Sequence, residues 1–311
     1  MSTMTPPSFG HWLAPSSLIN SLTPRAVISV FHQFAVDGVI ASFPKTGNTW
    51  FSALLRHLMI KAYNLPPAKM TKLFVSDHRP SQVFKVPFGI PLFYHSHFIV
   101  TNRGAEAHLG NMREILAPFR HTPMMILYRD PKDVLVSYYM EVVFREPDPC
   151  FVGTVDDFAH SDVYGVKKFV AYYNTLAEFR RGSGENERTM ITRYENLWSD
   201  TVGTLRNCAT FLGVRGFTEE NLRYAVEQCS MENMRRMEGM ATRETVVVPD
   251  LFRPERDRPE ARRVRVGGSG NWQKHLSPDV AAWIDEYVRR HLDPFFIQGD
   301  STPVHAKAGN G

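Results

Sequence analysis

Residues 39–51 read VIASFPKTGNTWF: a five-residue run apolar but for Ser42, a break at Pro44, and a glycine two places after a lysine. The run is strand-like and bounded by a turn signal. Beyond the turn, Phe51, Leu54, Leu55, Leu58 and Ala62 recur at helical spacing. A strand therefore feeds a helix through a four-residue turn, which places free backbone N–H groups and the positive helix end at the turn. That geometry favours an anion. Gly47 allows close backbone approach, Thr46, Asn48 and Thr49 bring side-chain donors, and Lys45 adds a mobile charge. The order differs from an ATP loop, whose lysine follows glycine as Gly-Lys-Ser/Thr. No such triplet occurs in the chain, which counts against a P-loop kinase.

Further apolar runs alternate with helical patterns. Strands are expected at residues 39–43, 92–96, 124–128 and 189–192, with helices at 202–212, 219–228 and 278–292. In the last, Val280, Trp283, Ile284, Tyr287 and Val288 form one stripe. Asp130-Pro131 is a helix start with proline at the first position. The alternation predicts an α/β fold: a single domain with a central, mainly parallel β-sheet flanked by helices. Its expected span is residues 25–298, between an irregular arm (1–24) and a disordered tail (299–311). Ligands on such sheets bind beyond the strands' carboxyl ends, where both Lys45 and Arg129 fall.

Two other segments carry anion chemistry. In YRDPKDVLVSYY (residues 128–139), Arg129 leaves a strand and Ser137 follows two helical turns on. A guanidinium fork plus a hydroxyl suits a phosphate; an ion pair of Arg129 with Asp133 is the plainer alternative. In VRVGGSGNWQKHL (residues 264–276), Arg265 precedes a glycine-rich stretch that could fold over a ligand, with Trp272 pinning it. A plain loop is the alternative there. His95-Ser96-His97 ends the 92–96 run. No third ligand at helical or CxxC spacing accompanies the two histidines, so no metal is expected.

In this order and at these distances, FPKTGNTW, RDPKDVLVSYY and RVGGSGNW together resemble the cytosolic-type sulfotransferases, over roughly residues 35–295. The resemblance implies a P-loop-like phosphosulfate-binding strand–loop–helix. It also implies transfer of a sulfuryl group from 3′-phosphoadenosine-5′-phosphosulfate (PAPS) to a hydroxyl or amine, with 3′-phosphoadenosine-5′-phosphate (PAP) as product and no metal. On that pattern Lys45 contacts the bridging oxygen and stabilises the leaving phosphate. Thr46, Gly47, Asn48 and Thr49 cradle the 5′-phosphate, and Trp50 stacks on adenine. Arg129 and Ser137 hold the 3′-phosphate; Arg265, Val266 and Gly267 form the closing segment. Tyr194 meets the adenine edge, beside Cys229, Ser230 and Met231. His97 stands at the general-base position, a role suited to a neutral imidazole. Three family residues are replaced: a lysine by His95, a second lysine by Val266, and a phenylalanine by Met231. A non-catalytic adenine-nucleotide-binding domain would retain the cradle without needing Lys45 and His97.

Composition bounds the rest. With 43% hydrophobic and 22% charged residues the chain is an ordinary globular one. A net charge of +4 suits an anionic ligand without arguing for nucleic acid. The six arginines of residues 252–265 are accounted for as a solvated charge run. Three dispersed cysteines fit a reducing compartment. With no signal-peptide pattern and no apolar stretch of spanning length, the expected location is cytoplasmic. The acceptor is expected to be a small molecule (a phenol, a lipid alcohol or a sugar), because residues 84–94 and 138–151 are rich in aromatics. Oligomeric state is left open.

Overall fold

The structure, a computed structural model, describes residues 36–66, 74–76, 89–97, 112–144, 151–182, 184, 188–239 and 267–297. The expected arm (1–24) and tail (299–311) lie outside the described residues. Five strands form one sheet: β1 (Gly38–Ser42), β2 (Phe74–Ser76), β3 (Phe93–Ser96), β4 (Met124–Tyr128) and β5 (Thr189–Arg193). Their spatial order is β2-β3-β1-β4-β5 and every pairing is parallel. The α/β expectation holds, and each predicted strand is found within a residue or so of its predicted bounds.

The helices are α1 (Asn48–Ala62), α2 (Met112–Leu116), α3 (Pro131–Phe144), α4 (Val155–His160), α5 (Val166–Gly182), α6 (Tyr194–Ser199), α7 (Thr201–Phe211), α8 (Glu219–Gln228), α9 (Met231–Gly239), α10 (Pro278–His291) and α11 (Pro294–Ile297). Side chains alternate across the strands. Val39, Ala41, Met124, Ile126 and Tyr128 join the core shared with α3, α4, α5 and α10. Ile40, Met125 and Leu127 join the core shared with α1, α7 and α8. Both sheet faces are covered, which explains why β1 (GVIAS) and β4 (MMILY) are buried along their whole length rather than alternating between apolar and polar residues.

From β1 the chain runs out to β2 and back to β3 on one side, and later reaches β4 on the other. Order therefore reverses at β1, and the loops after β1 and β4 diverge to leave a crevice at their carboxyl ends. Phe43 anchors the first of these loops: it is fully buried, edge-on to Tyr138 (5.7 Å), Phe169 (5.4 Å) and Tyr172 (5.5 Å). Among the described residues, no helix is long and apolar enough to cross a membrane.

Candidate active site

The turn after β1 is under conformational constraint. Lys45 has φ 70, a left-handed value for a residue with a Cβ, and Gly47 has φ 96. A Cβ at Gly47 would collide with the ring of Tyr194, so both backbone conformation and space require glycine. Thr46 is buried and its hydroxyl donates to the Phe43 carbonyl at 2.7 Å, closing the turn from inside. Gly47 caps α1 without a side-chain acceptor. The first N–H groups of α1 therefore face the crevice with no intrahelical acceptor.

Arg129, at the end of β4, reaches into this turn. Its Nη1 donates to the Lys45 carbonyl at 3.2 Å and its Nη2 to the Gly268 carbonyl at 3.0 Å. The guanidinium also lies 4.2 Å from the centroid of the Tyr194 ring. Its Nε is buried with no hydrogen-bond partner among the described residues, which is uncommon for a buried donor. Arg129 and Asp133 are 4.0 Å apart, but the aspartate serves another purpose. Its Oδ2 accepts from the Ser269 hydroxyl (3.0 Å) and Gly270 N–H (2.7 Å), and its Oδ1 from Trp272 N–H (3.1 Å). With a side chain only 1% exposed, Asp133 is the latch that holds the glycine-rich segment against α3. Trp272 completes the fastening, with Lys132 Nζ 4.5 Å from its ring centroid.

An aromatic patch borders the crevice. Trp50 lies 5.9 Å from Tyr194 and 5.6 Å from Trp198, and its indole N–H donates to the Cys229 carbonyl at 3.0 Å. A Cβ on Gly267 would meet Trp198 at 2.6 Å and Met231 at 3.1 Å. Trp50, Tyr194, Cys229, Met231 and Gly267, separated by up to 217 residues, thus surround one spot. Ser230 sits at the start of α9 and takes the Asn233 N–H at 3.3 Å. Ser137 is partly exposed on α3. Arg265 and Val266 lie outside the described residues.

The histidines divide the work at the end of β3. His97 Nδ1 is 2.8 Å from the Ser42 carbonyl and 3.2 Å from the Ser42 hydroxyl. A carbonyl can only accept, so Nδ1 carries the proton and Nε2 keeps the ring's lone pair. His95 Nε2 pairs with the Asn48 amide nitrogen, and Asn48 Oδ1 takes the Ser52 hydroxyl at 3.2 Å. The Asn48 side chain is thereby committed to His95, leaving its backbone N–H for the crevice. Burial, then the neighbouring His97 and Arg56, hold His95 well below the usual imidazole range. A neutral His95 does not restore the charge of the lysine it replaces.

Trp198, Asp133 and Glu141, whose carboxylate accepts from the Lys45 ammonium at 2.6 Å, border this crevice and were not assigned roles from the sequence. Asp133 stood inside RDPKDVLVSYY, but a carboxylate four residues after an arginine reads as its ion partner. Only the long-range contact to residues 269–272 reveals the latch.

The family profile described as Sulfotransferase domain matches residues 36–296. The chain belongs to the sulfotransferase family. Cytosolic sulfotransferase 16 of Arabidopsis thaliana is 24% identical over 305 residues, covering 94% of this chain and 86% of that protein. Cytosolic sulfotransferase 1 from the same plant is 25% identical over 293 residues, with coverages of 87% and 83%. Among solved structures, mouse sulfotransferase SULT7A1 complexed with PAP superposes with a TM-score of 0.57 at 17% identity, covering 88% of this chain and 90% of that one. Retinol dehydratase with androsterone and the inactive cofactor PAP gives 0.55 at 16% identity, covering 86% and 85%. These two likenesses concern the fold.

Proposed function

We propose that this sulfotransferase moves the sulfuryl group of PAPS to a hydroxyl, or an amine, of a small acceptor and releases PAP. The observation that carries the reading is the start of α1, capped by Gly47 without a side-chain acceptor and set between Lys45 and Arg129, with the Arg129 Nε buried and unpartnered among the described residues. A nucleotide with phosphates at both the 5′ and 3′ positions fits that donor set: N–H groups and Lys45 at one end, a guanidinium at the other. The two solved relatives, both complexed with PAP, support it.

PAPS, when bound, supplies an activated sulfuryl group on a good phosphate leaving group. The backbone of residues 46–49 holds the 5′-phosphate, and Lys45 stabilises the charge that develops on it. Arg129 and Ser137 hold the 3′-phosphate, with Arg265, Val266 and Gly267 closing over it. Trp50, Tyr194, Cys229, Ser230 and Met231 enclose the adenine. His97, oriented through its Nδ1–H, accepts the acceptor's proton at Nε2 as the oxygen attacks in line. No step calls for a metal.

The acceptor is an apolar phenol or lipid alcohol, or a sugar. Retinol dehydratase, whose solved complexes contain androsterone and retinol, is a relative with apolar alcohols in its structures. The catalytic unit is a single domain of residues 25–298, acting in the cytoplasm, in keeping with relatives named cytosolic. The test is an acceptor screen with labelled PAPS over phenols, lipid alcohols and sugars. Label should pass to at least one of these acceptors with an equal amount of PAP formed. Absence of transfer from PAPS, together with absence of PAP binding, contradicts the proposal.

A further inference from the structure

Glu141 sits on α3 one turn beyond Ser137, and its carboxylate takes the Lys45 ammonium at 2.6 Å. The two side chains are 12% and 17% exposed, so water screens the pair less than it would a surface ion pair. Asp133, Ser137 and Glu141 recur at four-residue spacing along one face of α3. That face runs from the latch of the glycine-rich segment to Lys45. The Lys45 main chain is fixed by its left-handed φ and by Arg129, so any change of partner has to come from the side chain swinging.

A lysine that must meet an anionic leaving group is therefore already neutralised in the donor-free protein. The same carboxylate also repels the phosphosulfate that arrives beside it. We propose that Glu141 competes with the donor nucleotide for Lys45 and recaptures the lysine after transfer, promoting PAP release. This rests on the assignment of Lys45 to the donor made above. Transfer removes a neutral SO3 unit and leaves the 5′-phosphate of PAP as a dianion beside Lys45, and the Glu141 carboxylate, competing for the same ammonium, weakens that hold and takes the lysine back as PAP departs. Product release limits the turnover of many enzymes, so weakening the hold on PAP at this point is useful.

The experiment is a calorimetric double-mutant cycle with PAP on the full chain: wild type, Glu141→Gln, Lys45→Ala and the double variant, with PAP dissociation rates measured alongside. Glutamine is nearly isosteric and a comparable helix former. Glu141→Gln should tighten PAP about tenfold and slow its dissociation, and the gain should vanish once Lys45 is alanine. Equal PAP affinity in wild type and Glu141→Gln, or the same gain without Lys45, overturns the inference while leaving the donor reading intact. PAP affinity that Lys45→Ala leaves unchanged removes the assignment of Lys45 and the inference with it.

Discussion

The Arg129 guanidinium donates to the main-chain carbonyl of Lys45 at 3.2 Å, tying the end of β4 to a left-handed, non-glycine residue of the loop after β1. The same group holds the Gly268 carbonyl. Three segments far apart in the chain therefore meet at one side chain whose Nε has no partner among the described residues. Arg129→Ala should weaken PAP about 10- to 100-fold, the range expected for losing charge-assisted hydrogen bonds. Binding of 5′-AMP, which has no 3′-phosphate, should change much less. Calorimetry with both nucleotides checks this, and equal losses for the two would deny Arg129 its 3′-phosphate role.

His97 is expected to act on protons and not on nucleotide affinity. His97→Ala should lower kcat about 10²- to 10⁴-fold, as for other general bases, with PAP affinity unchanged. Steady-state kinetics on an acceptor found by the screen decides it. Near-wild-type turnover would mean that another group removes the proton.

Asp133 is almost fully buried and accepts three hydrogen bonds from residues 269–272. Asp133→Ala leaves those donors without acceptors and should cost about 3 kcal/mol. PAP affinity should drop as the glycine-rich segment comes loose. Chemical denaturation and calorimetry on the same preparation test both parts. A variant with wild-type stability would show that the latch carries no weight.

Gly47→Ala should be damaging beyond its size, since the new methyl group enters the Tyr194 ring and φ is 96. About 2 kcal/mol of stability should be lost, along with most PAP affinity, because Tyr194 must leave the crevice wall. A urea melt that matches wild type would refute the packing argument.

Stability should fall in acid for an identifiable reason. Burial, then the Arg56 charge, holds His57 down from 6.5 to about 4. Its folded pKa lies below the unfolded one, so the stabilisation is present above pH 6.5 and is lost as pH falls from there toward 4. The full effect is on the order of 3 kcal/mol. His95 shifts in the same direction. Urea melts of wild type and His57→Gln at pH 7.5 and 4.5 should show a smaller acid loss in the variant; equal losses would rule His57 out.

What was legible in the sequence depended on whether the signal was local. Strands β1 and β4 announce themselves as short, mostly apolar runs cut off by Pro44 and Arg129. Strand β2, three residues long, is too short to show a period. Helix α5 had a readable stripe in Phe169, Val170, Tyr173, Leu176 and Ala177, all buried, but no helix was assigned there. The anion loops were visible because strand, turn and helix are adjacent in the chain. The pairing of Lys45 with Glu141, and of Asp133 with Gly270, spans 96 and 137 residues. No local pattern encodes such contacts; they follow from setting α3 beside the loop after β1.

The most direct test of the central claim is a calorimetric comparison of PAP with ATP in the presence of magnesium. The account predicts that PAP binds at least about tenfold tighter, because Arg129 faces a 3′-phosphate that ATP lacks, and that the preference disappears in Arg129→Ala. Tighter binding of magnesium-ATP by the wild-type protein would contradict it.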